Sequence, residues 1–197
     1  MMYTLPNLLT LSRIAAIPVF VAVFYMPYHW SFLAASIIFI AAALTDLFDG
    51  YLARKLNQIT KLGAFLDPVA DKLMVSVALL LLVEVYASHW MAIPAIVIIG
   101  REIVISALRE WMAECGQRAQ VAVSHIGKVK TVIQMFAISM MLMVDPLTLA
   151  ASGEIFWKGV WWIGALLLYI ATILTLWSAY IYLKAAWPNL MAADASE

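Results

Sequence analysis

The sequence predicts an all-α membrane protein with six transmembrane helices and both termini in the cytoplasm. Three observations predict it: an apolar excess too large for a soluble fold, six apolar segments of spanning length, and link Lys and Arg concentrated in alternate links. Of the 197 residues, 65% are hydrophobic and only 12% are charged. A soluble domain carries about 45–50% apolar and about 25% charged residues. A chain this short cannot hide that excess inside itself, because small domains leave much of their surface exposed. The bilayer takes up the rest, and one membrane domain over residues 1–197 fits the length.

A spanning helix needs about 20 mostly apolar residues. The first segment runs from Leu8 to Tyr25 and stops near Pro27. Its polar opening (Asn7, Thr10, Ser12, Arg13) and the lack of a small-residue cleavage site read as a retained helix, not a signal peptide. The second runs from Phe32 to Leu52, the third from Phe65 to Tyr86, and the fourth from Trp90 to Trp111. The fifth runs from Val129 to Val144, closed by Asp145-Pro146, and the sixth from Trp157 to Leu183. No internal repeat or low-complexity tract interrupts them.

Orientation follows from the short links. Those after the second and fourth segments carry Arg54, Lys55 and Lys61, then Arg109, Arg118, Lys128 and Lys130. The links after the first and third carry neither Lys nor Arg, and the link after the fifth has only Lys158 at its edge. Trp30, Trp90, Trp157, Trp161 and Trp162 gather at the opposite ends, as interfacial aromatics do. Net charge is zero, so nothing in the balance points to nucleic acid. Cys115 is alone, which excludes an internal disulfide and a cysteine metal site. His29 and His89 fall on the far side, in interfacial seats, and His125 in a cytoplasmic link. The methionines read as packing or lipid-facing residues.

Ionisable residues inside membrane segments are costly and mark function by default. Asp46 and Asp49 lie near the cytoplasmic end of the second segment, and Asp67 and Asp71 near the cytoplasmic start of the third. Spacings of three and four put each pair on one helix face. Only a short basic link joins the two helices, so they are expected as antiparallel neighbours with the carboxylate pairs facing each other. Gly50 and Ala53 share the face of Asp46 and Asp49, Arg54 follows, and Gly63 precedes the second pair. Small residues let a ligand approach closely. Four like charges in a low dielectric repel unless protons or cations balance them. Oxygen-only ligands select hard ions such as magnesium, manganese or calcium. Carboxylates bridging two metals about 3.5–4 Å apart serve phosphoryl displacement. The plainer alternative is an ion-pair network, with Asp49 on Arg54 and Asp71 on Lys72, that only ties helices together.

At these residues the chain resembles a known family. Asp46-Leu-Phe-Asp49-Gly50-Tyr-Leu-Ala53-Arg54, eight residues, then Gly63-Ala-Phe-Leu-Asp67-Pro-Val-Ala-Asp71 is similar to the signature of the CDP-alcohol phosphotransferases, with every position filled. Pro6-Asn-Leu-Leu-Thr10-Leu-Ser-Arg13, Arg101-Glu-Ile-Val-Ile-Ser-Ala-Leu-Arg109-Glu-Trp and Gly127-Lys-Val-Lys130-Thr-Val-Ile-Gln134 resemble the branch of bacterial phosphatidylglycerophosphate synthases. The resemblance implies a six-helix homodimer in the bacterial cytoplasmic (inner) membrane, with its site facing the cytoplasm. It implies Mg2+ or Mn2+, two ions per site, and the substrates CDP-diacylglycerol and glycerol 3-phosphate, giving phosphatidylglycerophosphate and CMP. By the same resemblance, Asp46, Asp49 and Asp67 are metal ligands, and Asp71 is ligand and general base. Gly50, Ala53 and Arg54 cradle the CDP group beside Asp46 and Gly63, Asn7, Thr10 and Arg13 close over it, and Lys72 touches the diphosphate.

The acceptor carries a phosphate, so its site needs cations. Arg101 and Arg109 are eight apart, near one face after two turns. With Lys130 and Lys61 they are the candidates, arginine being suited to bidentate phosphate binding. Each has an ordinary use as well: Arg101 pairing with Glu102 or Glu84, Arg109 with Glu110 or Glu114, and the lysines following the positive-inside rule. Other acceptors (inositol phosphate, serine) are the alternative within the family. A cation transporter is the alternative outside it, disfavoured because its site belongs near the midplane at a repeat interface.

Overall fold

A computed structural model describes residues 5–55, 61–114, 125–150 and 155–194. Cys115 lies outside them. Every described element is an α-helix: α1 Leu5–Phe24, α2 Ser31–Lys55, α3 Lys61–Tyr86, α4 His89–Glu114, α5 His125–Leu142, α6 Pro146–Ala150 and α7 Ile155–Asp194. Each expected segment is present as a helix, generally longer than its apolar stretch. α3 starts at Lys61 and α5 at His125, because polar residues extend a helix beyond the run that hydropathy detects. His125 is therefore the first residue of a helix and not part of a link. α6 was not expected. Asp145-Pro146 ends α5 and also starts α6: Asp145 Oδ1 accepts from Leu147 N–H at 2.8 Å, and Pro146 takes the first helical position.

Among the described residues, three helices are long and apolar enough to cross a membrane, within Asn7–Phe24, His89–Ala113 and Ile155–Trp187. Ser31–Asp46 and Val129–Leu142 are shorter apolar helices. α3 carries Lys61, Asp67, Asp71, Lys72 and Glu84, which dilute its apolar run. The outer surface supports a lipid environment. Ile37, Leu80, Ile96, Ile103, Phe136, Leu166 and Ile173 are all more than half exposed. In water a continuous apolar surface of this kind is a liability.

The long helices pack in a ring, in the order α1, α2, α5, α7, α4, α3 and back to α1, with α3 also touching α5 across it. α2 and α3 touch, but each makes its larger contact with α1. The expected pairing of α2 with α3 is thus mediated by a third helix. Small residues sit where helices meet: Ala35, Ala78, Ala95, Ala137 and Ala171 are buried. Phe20, Phe24 and Phe39 fill the gap between α1 and α2. Ser36 Oγ donates to the Ser139 carbonyl at 2.9 Å, tying α2 to α5. Tyr86 Oη donates to the Val144 carbonyl at 3.0 Å, tying α3 to the end of α5. Met74, Met91, Met112 and Met141 are buried, as expected of packing residues, and Met26 and Met191 are exposed.

α5 and α7 make the most extensive helix contact, and Gly164 permits it. A Cβ there would lie 2.8 Å from Met141 Cγ and 3.2 Å from the Ala137 carbonyl oxygen. Gly164→Val is expected to cost about 1–3 kcal/mol through overpacking. A lowered thermal unfolding midpoint in detergent checks this, and an unchanged midpoint contradicts it.

Candidate functional site

The site begins with α1. Asn7, Thr10 and Arg13 recur every three residues, which aligns them on one face, and all three are buried. Arg13 Nη1 donates to Asp46 Oδ1 on α2 at 2.6 Å, a charge-assisted contact. Thr10 Oγ1 donates to Asp67 Oδ1 on α3 at 2.5 Å. One turn of α1 thus holds an aspartate from each of its two neighbours. Gly63 is buried near the start of α3.

Asp71 lies one turn beyond Asp67, and two cavities meet at it. On one side Asp46 and Asp71 share a cavity with Arg13, Phe39 and Met74. From there a groove of about 270 Å³ runs between α2 and α5, lined by Ile40, Leu44, Val132, Met135 and Phe136. On the other side Asp71 lines a pocket of about 50 Å³ with Lys72, Ser76, Glu102, Thr131 and Gln134. Lys72 Nζ donates to Ser106 Oγ on α4, so the bland pairing of Lys72 with Asp71 is not its hydrogen bond here.

The far wall of that pocket is an ion-pair corner. Glu102 Oε1 accepts from Lys130 Nζ at 2.6 Å and from Arg101 Nη1 at 3.0 Å. Arg101 Nη2 also donates to Ser178 Oγ on α7 at 2.9 Å. Its guanidinium sits 5.6 Å from the Tyr182 ring centroid, within cation–π range. Two cations and one carboxylate leave this corner with a net charge of +1. Arg101 therefore has both its ordinary partner and a position beside the pocket.

Not every candidate joins the site. Arg109 is exposed, a little over two turns beyond Arg101, and shares no pocket or ion pair with it among the described residues. Asp49, Gly50, Ala53 and Arg54 lie on α2 and Lys61 opens α3, but their side chains fall outside the described residues. His29 stands at the other end of the bundle, 3.3 Å from Asp145, and is exposed. Exposed His89 opens α4. Two residues without an assigned role prove central: Glu102, which gathers the cations, and Gln134, which lines the pocket. Their signal was a polar residue in an apolar run, one helical turn before Ser106 and one turn after Lys130 respectively.

The donor chemistry suits a hard cation, since the possible ligands gathered here are carboxylate, hydroxyl and amide oxygens, with no His or Cys lining these cavities. Among the described residues no group of three His, Cys, Asp or Glu is close enough to hold an ion. Asp46 and Asp71 face one cavity, and the fourth carboxylate, Asp49, is outside the described set.

This arrangement puts two aspartates held by α1, a third that borders two cavities, and a net positive corner at one end of a helical ring. Residues 3–182 match the CDP-alcohol phosphatidyltransferase family over most of the chain. The chain belongs to that family. Similar CDP-alcohol phosphatidyltransferases include the CDP-diacylglycerol–glycerol-3-phosphate 3-phosphatidyltransferases of Shigella flexneri serotype 5b (strain 8401) and Escherichia coli (strain K12). Each is 50% identical over 194 residues, covering 97% of this chain and 99% of the relative. Among CDP-alcohol phosphatidyltransferases, these relatives share the chain's length as well as its core segment, so the outer helices fall within the likeness.

Proposed function

We propose that this chain transfers the phosphatidyl group of CDP-diacylglycerol to glycerol 3-phosphate, releasing CMP and forming phosphatidylglycerophosphate. The observation that carries this reading is the position of Asp71 between two cavities of different character. One is apolar, open between α2 and α5, and ends at Asp46 and Asp71. It suits the acyl part of a lipid. The other mixes apolar walls with Asp71, Lys72, Glu102 and Gln134 and adjoins a corner of net positive charge. It suits a phosphorylated alcohol.

In the reaction, a hydroxyl oxygen of glycerol 3-phosphate attacks the phosphorus that bears the diacylglycerol. A new P–O bond forms, the P–O bond to CMP breaks, and the hydroxyl proton passes to Asp71 as general base. Asn7, Thr10 and Arg13 close over the CDP group. Thr10 and Arg13 also fix Asp67 and Asp46, so the carboxylates are positioned before substrate arrives. Asp46, Asp49, Asp67 and Asp71 would hold Mg2+ or Mn2+, two ions per site, which offset diphosphate charge when bound. Gly50, Ala53, Arg54, Gly63 and Lys72 belong to the CDP-lipid site. Arg101 and Lys130 bind the acceptor phosphate, with Arg109 and Lys61 as outer cations at the same membrane face.

The setting follows from the same reading. Residues 1–197 form one domain with six spans, both termini cytoplasmic, in a bacterial inner membrane. The site faces the cytoplasm, where a lipid head group and a soluble acceptor meet. The working unit is a homodimer.

CMP release by purified protein in detergent, with CDP-diacylglycerol, Mg2+ and a panel of alcohols, tests the proposal. Release with glycerol 3-phosphate is expected, and its loss on chelation of the metal is expected with it. No CMP with any alcohol sinks the transferase reading, and CMP with serine alone sinks the acceptor.

A further inference from the structure

We infer that Gln134 sets acceptor specificity by hydrogen bonding to a second, non-reacting hydroxyl of the acceptor alcohol; this rests on the reaction proposed above. Gln134 is 3% exposed, and its Oε1 is sealed from solvent with no hydrogen-bond partner among the described residues. A buried amide oxygen left unpaired is costly, so native proteins rarely keep one without use. The side chain lines the same pocket as Asp71, Lys72, Glu102 and Thr131. It stands one turn along α5 from Lys130, whose ammonium meets Glu102 at the positive corner.

The chemistry of the occupant follows from these neighbours. Asp71 in the pocket suits a reacting hydroxyl, and Lys130, which meets the pocket's Glu102 from outside its lining, suits a phosphate at the pocket's edge. Gln134 is neutral, and its free atom accepts a hydrogen bond. A neutral donor that meets Gln134 in the same pocket is an alcohol hydroxyl. Turning the amide over puts a donor at the same place, and a hydroxyl satisfies either. The pocket measures about 50 Å³. At about 10–15 Å³ per water-sized position, that is roughly three to five positions. A three-carbon polyol matches this size, and a six-membered ring bearing five hydroxyls exceeds it. Glycerol 3-phosphate supplies all three groups: a reacting hydroxyl, a second hydroxyl and a phosphate.

The experiment compares glycerol 3-phosphate with 3-hydroxypropyl phosphate, which lacks only the middle hydroxyl. CMP release is measured with CDP-diacylglycerol and Mg2+, for the wild type and for Gln134→Leu and Gln134→Glu. The wild type is expected to prefer glycerol 3-phosphate by about 10- to 100-fold in kcat/KM, because the analogue leaves the amide unpaired. In Gln134→Leu that preference is expected to shrink by at least about 10-fold. Gln134→Glu retains an acceptor oxygen and is expected to retain most of the preference. Equal use of both alcohols by the wild type overturns the inference without any variant. So does a Leu variant that loses both activities in proportion, which marks a structural role. Absence of CMP from the wild type with glycerol 3-phosphate sinks the underlying reaction instead, so the two failures read differently.

Discussion

Asp71→Asn is expected to lower CMP release about 10²- to 10⁴-fold, the range that a positioned general base contributes. The substitution keeps the size and shape of the side chain and removes its ability to take a proton. Asp71 is the one described carboxylate that lines both the cavity shared with Asp46 and the pocket beside Glu102. Thr10 and Arg13 are engaged by Asp67 and Asp46, so loss of the Asp71 charge leaves the α1 contacts in place. Binding of CDP-diacylglycerol, followed by thermal shift, is therefore expected to survive the change. Titration with Mg2+ separates the two roles given to this residue. Activity restored by excess metal marks a ligand whose loss weakened the ion site. Activity that stays low at saturating metal marks the base. Near-normal turnover at ordinary metal concentration removes Asp71 from both.

The helices and the aspartate spacing were legible in the sequence because both are local. Apolar runs and a three- or four-residue repeat are properties of one helix. What the sequence left open is where those helices meet. Thr10 and Asp67 are 57 positions apart, and Arg13 and Asp46 are 33 apart. No spacing rule predicts that α1 binds both aspartate helices and stands as the larger neighbour of each. The resemblance assigned Thr10 and Arg13 to the CDP group, and their contacts add a second task, holding carboxylates. The cations proposed for the acceptor show the same limit. Arg101 and Arg109 share a helix and a chemical type, yet Arg101 is drawn inward by Glu102, Ser178 and Tyr182, while Arg109 stays exposed. Glu102 was visible as a charge in an apolar segment, and its pairing with the adjacent Arg101 was among the expectations, but its second partner, Lys130, lies on another helix. Gln134 was harder still, since a neutral amide in an apolar run carries no charge anomaly.

Glu102→Ala is expected to destabilise the protein by about 3 kcal/mol, and added phosphate is expected to recover part of the loss. Truncating one partner of a buried ion pair costs about 3–5 kcal/mol, mainly because the remaining charge is left uncompensated. The lower figure applies because the Glu102 side chain is 25% exposed, against 3% for Lys130 and 12% for Arg101. Without the carboxylate, two cations face each other in a partly buried corner. A phosphate anion supplies the missing charge and binds the folded state, which raises stability by mass action. The expected result is a lowered unfolding midpoint in detergent and a larger upward shift with phosphate than the wild type shows. Chloride at matched ionic strength separates this from screening, which relieves the same repulsion without a site. An equal response to both salts would mean that Arg101 and Lys130 are only a structural pair around Glu102. A response confined to phosphate, and lost again in Glu102→Ala/Lys130→Ala, would tie the positive corner to the acceptor's phosphate and leave Glu102 as the group that holds it in place until the acceptor arrives.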